Sequence, residues 1–435
     1  MTTIVIRGGR IIDPSQAIDR EGDLILRDGR VQGIVADANV SAADATVIDA
    51  RGRIVVPGLV DCQVSLREPG FEEDETIATG TAAALAGGVA TVACMPDTDP
   101  VVDNQAAAEF VQLQSARAAH CNVYPLGAVT KNNAGEELAE IGQLVESGTV
   151  AFTDGKHPVA NAEVMRRALQ YTRMFGRPIL CHPQVPELIE GGVMHEGFYS
   201  TLLGLRGMPA AAEEIMVARD VALAELTGGR VHLMCISTSG SVDLIRRAKR
   251  RGVQVTASVA VHNLVLCDET LRSFDPNLKV NPPLRTREHT DSLIEGLKDG
   301  TLDVITSDHQ PFAEEKKDRE IDLAPFGISG LETLLPLCVK ALIEPGRLSW
   351  PELIAKLTLN PARVLDIPRG TLAVGAEADV TVIDPDCQWT IELEQFASKS
   401  RNNPFGGWTV RGRTTHVIVG GHVRYPLETA RLAAS

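Results

Sequence analysis

Four residues able to hold a metal or move a proton each end an apolar, strand-like run. They are Asp154 in AFTDG, His182 in PILCHP, Cys235 in HLMCIST and Asp308 in LDVITSD. Carboxylate, imidazole and thiolate are the side chains zinc prefers, and a carboxylate so placed also serves as a general base. Taken singly, each has a plainer reading. Asp308 is then a helix cap or turn carboxylate, His182 a hydrogen-bonded structural imidazole, Asp154 the start of an Asp-Gly turn and Cys235 a core thiol. They gain weight only if one fold gathers the four strand ends. A fifth strand end lacks such groups. The apolar run 54–60 leads into Asp61-Cys62-Gln63-Val64-Ser65 and an Arg67-Glu68-Pro69-Gly70 turn. Strand positions two apart share a face, so Gln63 and Ser65 stand where two histidines would clamp a metal. Arg67 offers a fork for a carboxylate, or forms a surface salt bridge. Asn281, in the stiff KVNPPLR segment, presents its amide to a ligand or caps a turn.

The elements that would position these residues are legible as a pattern. Through the middle of the chain strand-like runs alternate with amphipathic ones. NAEVMRRALQYTRMFG leads to RPILCHP, VALAELTGG to RVHLMCIST, and SVDLIRRAKRRG, with Val242, Ile245 and Ala248 on one face, to VQVTASVAVH. Polar residues ending several different strands favour a (β/α)8 barrel over a doubly wound open sheet. The two ends of the chain read differently, as short strands between Gly and Asp-Gly turns: TIVIRGGRIID, DLILRDGRVQGI, DVTVIDPD and HVIVGGHVRY. They suggest a small β-sandwich-like domain from residues 1–55 and 371–435, flanking a barrel over 56–370.

Bulk composition bounds the function. The 435 residues, 44% hydrophobic and 23% charged, suit a globular enzyme with a full core. A net charge of −15 argues against a nucleic-acid partner, which needs a basic face. No GxGxxG, P-loop or nucleophile-elbow pattern occurs. Eight cysteines, none in a CxxC pair, fit a reducing, cytoplasmic compartment. The start MTTIVIRGGRIID lacks the charge-then-apolar pattern of a secretory leader, and no run is long enough to span a membrane.

Several long strings carry a resemblance: VVPGLVDCQVSLREPG, TAAALAGGVATVACMPDTDPVVDN, KVNPPLRTREHTDSLIEGLKDGTLDVITSDHQPFAEEK and LAPFGISGLETLLPL. The chain resembles the type I dihydroorotases of the amidohydrolase superfamily, over nearly its whole length. The resemblance implies a (β/α)8 barrel beside a β-sandwich-like domain, and a zinc centre that opens or closes the cyclic amide of dihydroorotate in pyrimidine synthesis. Residue by residue it is uneven. Asp154, His182 and Asp308 match ligand positions of the family, Cys235 stands at a histidine position, and Gln63 and Ser65 stand at two more. Arg67, Asn281 and the Pro325-Phe326-Gly327 loop match the substrate side. Asp97 replaces a substrate-facing asparagine and Phe312 a substrate-facing histidine. A carboxylate at Asp97 is expected to repel that of dihydroorotate by roughly 4 kcal/mol at about 4 Å and an effective dielectric near 20.

Two functions follow as expectations. With two ligand histidines gone, the first implies a family member with a degenerate metal site. It would be inactive or nearly so, would bind no zinc, and would act in a homo- or hetero-oligomer as structural partner of aspartate carbamoyltransferase. The second implies an active dihydroorotase or related cyclic amidohydrolase, with one zinc on Asp154, His182 and Cys235 and with Asp308 as base.

Overall fold

The computed structural model describes residues 3–38 and 45–426. Residues 1–2, 39–44 and 427–435, all within the expected small domain, lie outside the described residues. Strands from both ends of the chain form one eight-stranded sheet. Its order runs His422–Tyr425, Thr409–Val419, Val380–Thr390, Ile54–Pro57, Thr3–Asp13, Ile18–Arg27, Arg30–Val35, with Thr46–Asp49 added in parallel to Thr3–Asp13. Alternation in these strands turns Ile6, Leu24, Leu26, Val55, Val380 and Val382 into one buried cluster.

The apolar run 54–60 is not one strand. Ile54–Pro57 belongs to the terminal sheet and Leu59–Val64 to the barrel, with the change at Gly58. A Cβ on Gly58 would lie 2.5 Å from that of Ala90, so only glycine passes this junction.

The barrel strands are Leu59–Val64, Val89–Cys94, Asn122–Pro125, Ile179–Cys181, Val231–Leu233, Val255–Ala260 and Val304–Thr306, paired in parallel. Phe152 supplies the missing rung through single bridges to Gly127 and Ile179, and Val64 closes the ring against His309. Apart from the half-buried Asn122–Pro125, the strands are short and buried on both faces, as in a parallel ring covered by helices. Two helices match their sequence pattern. Ala162–Met174 is capped by Asn161 and buries Met165, Ala168 and Leu169. Ser239–Arg250 is capped by Thr238 and buries Val242, Ile245 and Ala248. Among the described residues no helix is long and apolar enough to cross a membrane.

His232, fully buried in the barrel wall, meets Thr256 Oγ1 at 2.9 Å through Nδ1, while its Nε2 has no hydrogen-bond partner. Burial, helped by the charge of Lys249, pushes its pKa down to about 3. The unfolded chain binds this proton below about pH 6.5 and the folded chain does not. Stability is therefore full above that pH and lost as pH falls toward the folded value, at about 1.4 kcal/mol per pH unit from this ring. Urea titrations at pH 6, 5 and 4 should show His232→Gln with an acid slope shallower by about that amount. Parallel slopes would mean that the ring is protonated in the fold.

Candidate active site

The barrel gathers the strand-end residues at one mouth. Three of them, Arg67, Cys235 and Asp308, have left-handed backbones with φ of 62°, 50° and 48°. Such conformations cost on the order of 1–3 kcal/mol each and persist where surrounding structure holds them. Here they stand at the ends of barrel strands, where they aim side chains inward.

Asp61 does not face the mouth as a ligand would. Its buried carboxylate accepts from Thr306 Oγ1 at 2.5 Å, from the Ser307 amide at 2.9 Å and from the Gln63 amide at 3.2 Å. It ties the first barrel strand to the last. Burial pushes its carboxyl pKa up, and these donors oppose the shift.

Gln63 spans the mouth. Its Nε2 lies 2.8 Å from Cys235 Sγ and 3.1 Å from Asp308 Oδ1, and its Oε1 accepts from Ser258 Oγ at 3.3 Å. Ser65 follows the strand end at Val64. It donates to Asp97 at 3.2 Å and accepts from Gln310 Nε2 at 2.9 Å.

Asp97 is a correction. It does not stand as an unpaired charge waiting to repel a ligand. Arg67 Nη1 holds its Oδ2 at 3.2 Å. The rest of the guanidinium is also engaged: Nη2 donates to Gln310 Oε1 at 2.9 Å, Nε donates to the Pro311 carbonyl at 3.2 Å, and the Phe312 ring lies 4.6 Å away. The fork expected to take a substrate carboxylate already carries one of the protein's own. The Pro325-Phe326-Gly327 loop packs on this group, its Gly327 carbonyl sharing the Asn402 amide with that of Gln310.

Asp154 is held by its own neighbourhood. Oδ1 accepts from the Val129 and Thr130 amides at 2.7 and 2.9 Å, and Oδ2 accepts from Thr130 Oγ1 at 2.5 Å. Both oxygens accept from the loop after the preceding strand, so the residue anchors that loop, and it lines one small cavity with His182. Among the described residues no three His, Cys, Asp or Glu side chains are grouped so as to hold a metal ion.

Sequence reasoning missed Lys156. Its Nζ donates to Asp308 Oδ1 at 2.8 Å, with Oδ2 at 3.1 Å, and to the Asn281 carbonyl at 2.9 Å. The side chain of Lys156 is 21% exposed and that of Asp308 4%. Burial alone would raise the Asp308 pKa, but Lys156 and His262 outweigh it and hold the carboxylate below its ordinary value. Burial pushes the Cys235 thiol far up, and the Asp308 charge adds to this. Burial and the Lys156 charge push His182 down to about 3. The His182 ring lies beside the Asn281 and Gln184 side chains, which favour its protonated form but are outweighed, and among the described residues the His262 ring finds no hydrogen-bond partner. The mouth thus joins two internal ion pairs to several buried, uncharged polar groups.

Comparison with known proteins places this geometry in a family. Residues 52–241 match a family model described as dihydro-orotase-like. The chain is 52% identical to a dihydroorotase of Pelotomaculum thermopropionicum over 420 residues, 97% of this chain and 98% of that one. The chain belongs to the dihydroorotase family. It is also 49% identical to a dihydroorotase of Syntrophotalea carbinolica, over 98% of this chain and 99% of that one. It is 46% identical to a putative dihydroorotase of Rhodopirellula baltica, over all of this chain and 95% of that one. Among solved structures, the L-hydantoinase (dihydropyrimidinase) of Arthrobacter aurescens aligns with a TM-score of 0.87 at 25% identity, over 97% and 96% of the two chains. The barrel with its β-sandwich-like companion is the fold of that protein as well.

Dihydroorotases and hydantoinases typically depend on a metal, and the residues at this mouth do not fit one. An amide and a hydroxyl replace two imidazoles, and Asp154 is spent on Thr130. An ammonium already sits on Asp308. A doubly charged ion within about 4 Å of that ammonium would be repelled by roughly 8 kcal/mol at an effective dielectric near 20.

Proposed function

We propose that this protein serves pyrimidine biosynthesis as a dihydroorotase-family barrel that does not run metal-assisted hydrolysis. The observation that carries this reading is the Lys156–Asp308 pair at 2.8 Å. Hydrolysis of a cyclic amide needs an activated water and a base to position it, and here the candidate base is neutralised by a neighbouring cation. A barrel kept without that chemistry suits a structural role, with aspartate carbamoyltransferase as the partner to test by co-purification. A second reading is favoured by the names of the relatives, which at 47–52% identity over nearly their whole lengths are called dihydroorotases. It is an active enzyme interconverting dihydroorotate and N-carbamoyl-L-aspartate. Turnover by the purified protein in both directions, with and without added zinc, decides between them. The first reading expects none above background, and zinc-dependent turnover would establish the second.

Arg67 supplies a separate test of the pocket. Its fork is held by Asp97 and not by a ligand. Asp97→Asn should strengthen dihydroorotate binding by about tenfold or more, because a ligand carboxylate then no longer competes with a like charge. Calorimetric titration reads this directly. Equal affinities for the variant and the parent would mean that the ligand does not reach Arg67.

A further inference from the structure

We propose that the ammonium of Lys156 is a built-in replacement for the metal, so that this barrel mouth is complete without one. Three groups at family ligand positions, Gln63, Cys235 and Asp308, meet there. The Gln63 amide touches both others, at 2.8 and 3.1 Å. What they gather around is the charge of a side chain, since Lys156 Nζ reaches both Asp308 oxygens and the Asn281 carbonyl.

The substitution is chemically coherent across the mouth. A buried carboxylate needs a compensating positive charge, and the fold supplies one from the strand-end segment that carries Asp154. An ammonium offers three donors in roughly tetrahedral directions, and here they are taken by Asp308 and a main-chain carbonyl. Gln63 then fits where histidine would not. Its amide donates to the thiol and the carboxylate, whereas a second cationic or metal-seeking group would meet the lysine charge. Gln63, Cys235, Asp308 and Lys156 therefore form one linked set. Asp97 repeats the pattern at the neighbouring Arg67, where an internal carboxylate stands on the guanidinium at 3.2 Å.

This inference deepens the reading of a barrel without metal-assisted hydrolysis and rests on it. It is tested by metal content and stability and not by turnover, so the two fail separately. Turnover without bound zinc would overturn the structural role expected under that reading and leave the lysine replacement standing.

The test starts with the parent protein, stripped with a chelator, given two equivalents of zinc and passed over a desalting column. Elemental analysis should find less than about a tenth of an equivalent retained, and the melting temperature should not move. Retention of one equivalent with a raised melting temperature overturns the proposal. So does a carbamate carbon signal from Lys156 after incubation with labelled bicarbonate, because a carbamate is an anion and a metal ligand. Lys156→Met should lower the melting temperature by about 5 °C, the effect of leaving a buried carboxylate unpaired in a chain of this size. Adding Asp308→Asn should restore most of that loss. An unshifted Lys156→Met, or a double variant no better than the single one, would also overturn it. Should the lysine variant not fold, the zinc measurement on the parent still decides.

Discussion

Glu213→Ala is expected to destabilise the fold by about 4 kcal/mol, the scale for breaking a buried ion pair from one side. Glu213 lies on the helix Ala210–Thr227 and is 1% exposed. Its carboxylate accepts from the Ser237 and Thr238 amides at 3.1 and 3.0 Å, from Thr238 Oγ1 at 3.1 Å, and from the Ser237 hydroxyl. These bonds hold the turn that follows Cys235 and that sets Thr238 as cap of the helix Ser239–Arg250. Arg285 stands behind it, its Nη2 at 4.0 Å and its side chain 2% exposed. Without the carboxylate, the guanidinium keeps uncharged hydrogen-bond partners, His195 Nδ1 at 3.0 Å, the Met208 carbonyl at 2.8 Å and Ser237 Oγ at 3.1 Å, and only the more distant charge of Glu214. Removing the cation as well, in Glu213→Ala with Arg285→Met, should recover about half of the loss, because the uncompensated charge is gone while the two amides stay unsatisfied. Urea unfolding of the four proteins of this cycle measures the coupling. A single-variant loss under about 1 kcal/mol would show that the turn holds itself.

Glu213 marks what a reading of the chain cannot reach. It sits in an ordinary helical run, and its partners lie 24 and 25 residues on. Lys156 is a sharper case, since its carboxylate partner is 152 residues away. Nothing in Thr-Asp-Gly-Lys says that the lysine turns inward. Local pattern did carry the parts governed by local physics. Strand–helix alternation led to the barrel, and short β-rich runs at both ends led to the shared sheet. It failed where a side chain had two equally good partners. Asp154 at a strand end suits a metal or a pair of loop amides, and the loop after the preceding strand claimed it. Asp97 suits repulsion of a ligand or attraction to Arg67, and the nearer opposite charge won.

Rebuilding a zinc site is expected to need the lysine removed, not only the histidines returned. Gln63→His and Ser65→His would set two imidazoles at the end of one strand, and with Asp308 they complete three ligands and an open position. With Lys156 in place the carboxylate is already neutralised, and the incoming ion meets a like charge. If half of the roughly 8 kcal/mol repulsion survives relaxation of the lysine, the penalty is about 10³-fold in affinity. The triple variant Gln63→His, Ser65→His, Lys156→Met should therefore bind one zinc with a Kd below about 1 µM, and the double variant at least about 10³-fold more weakly. Competition against a chromogenic chelator separates these values. Equal affinities would mean that Lys156 swings aside at little cost and that the missing histidines alone keep the metal out. A large gap would mean that the ammonium excludes it. Binding would still not amount to turnover, because Asp97 would continue to hold Arg67 and a substrate carboxylate would have to displace it. The expected order of gain is metal after Lys156→Met, then substrate affinity after Asp97→Asn. Hydrolysis is expected only when both internal ion pairs have been opened.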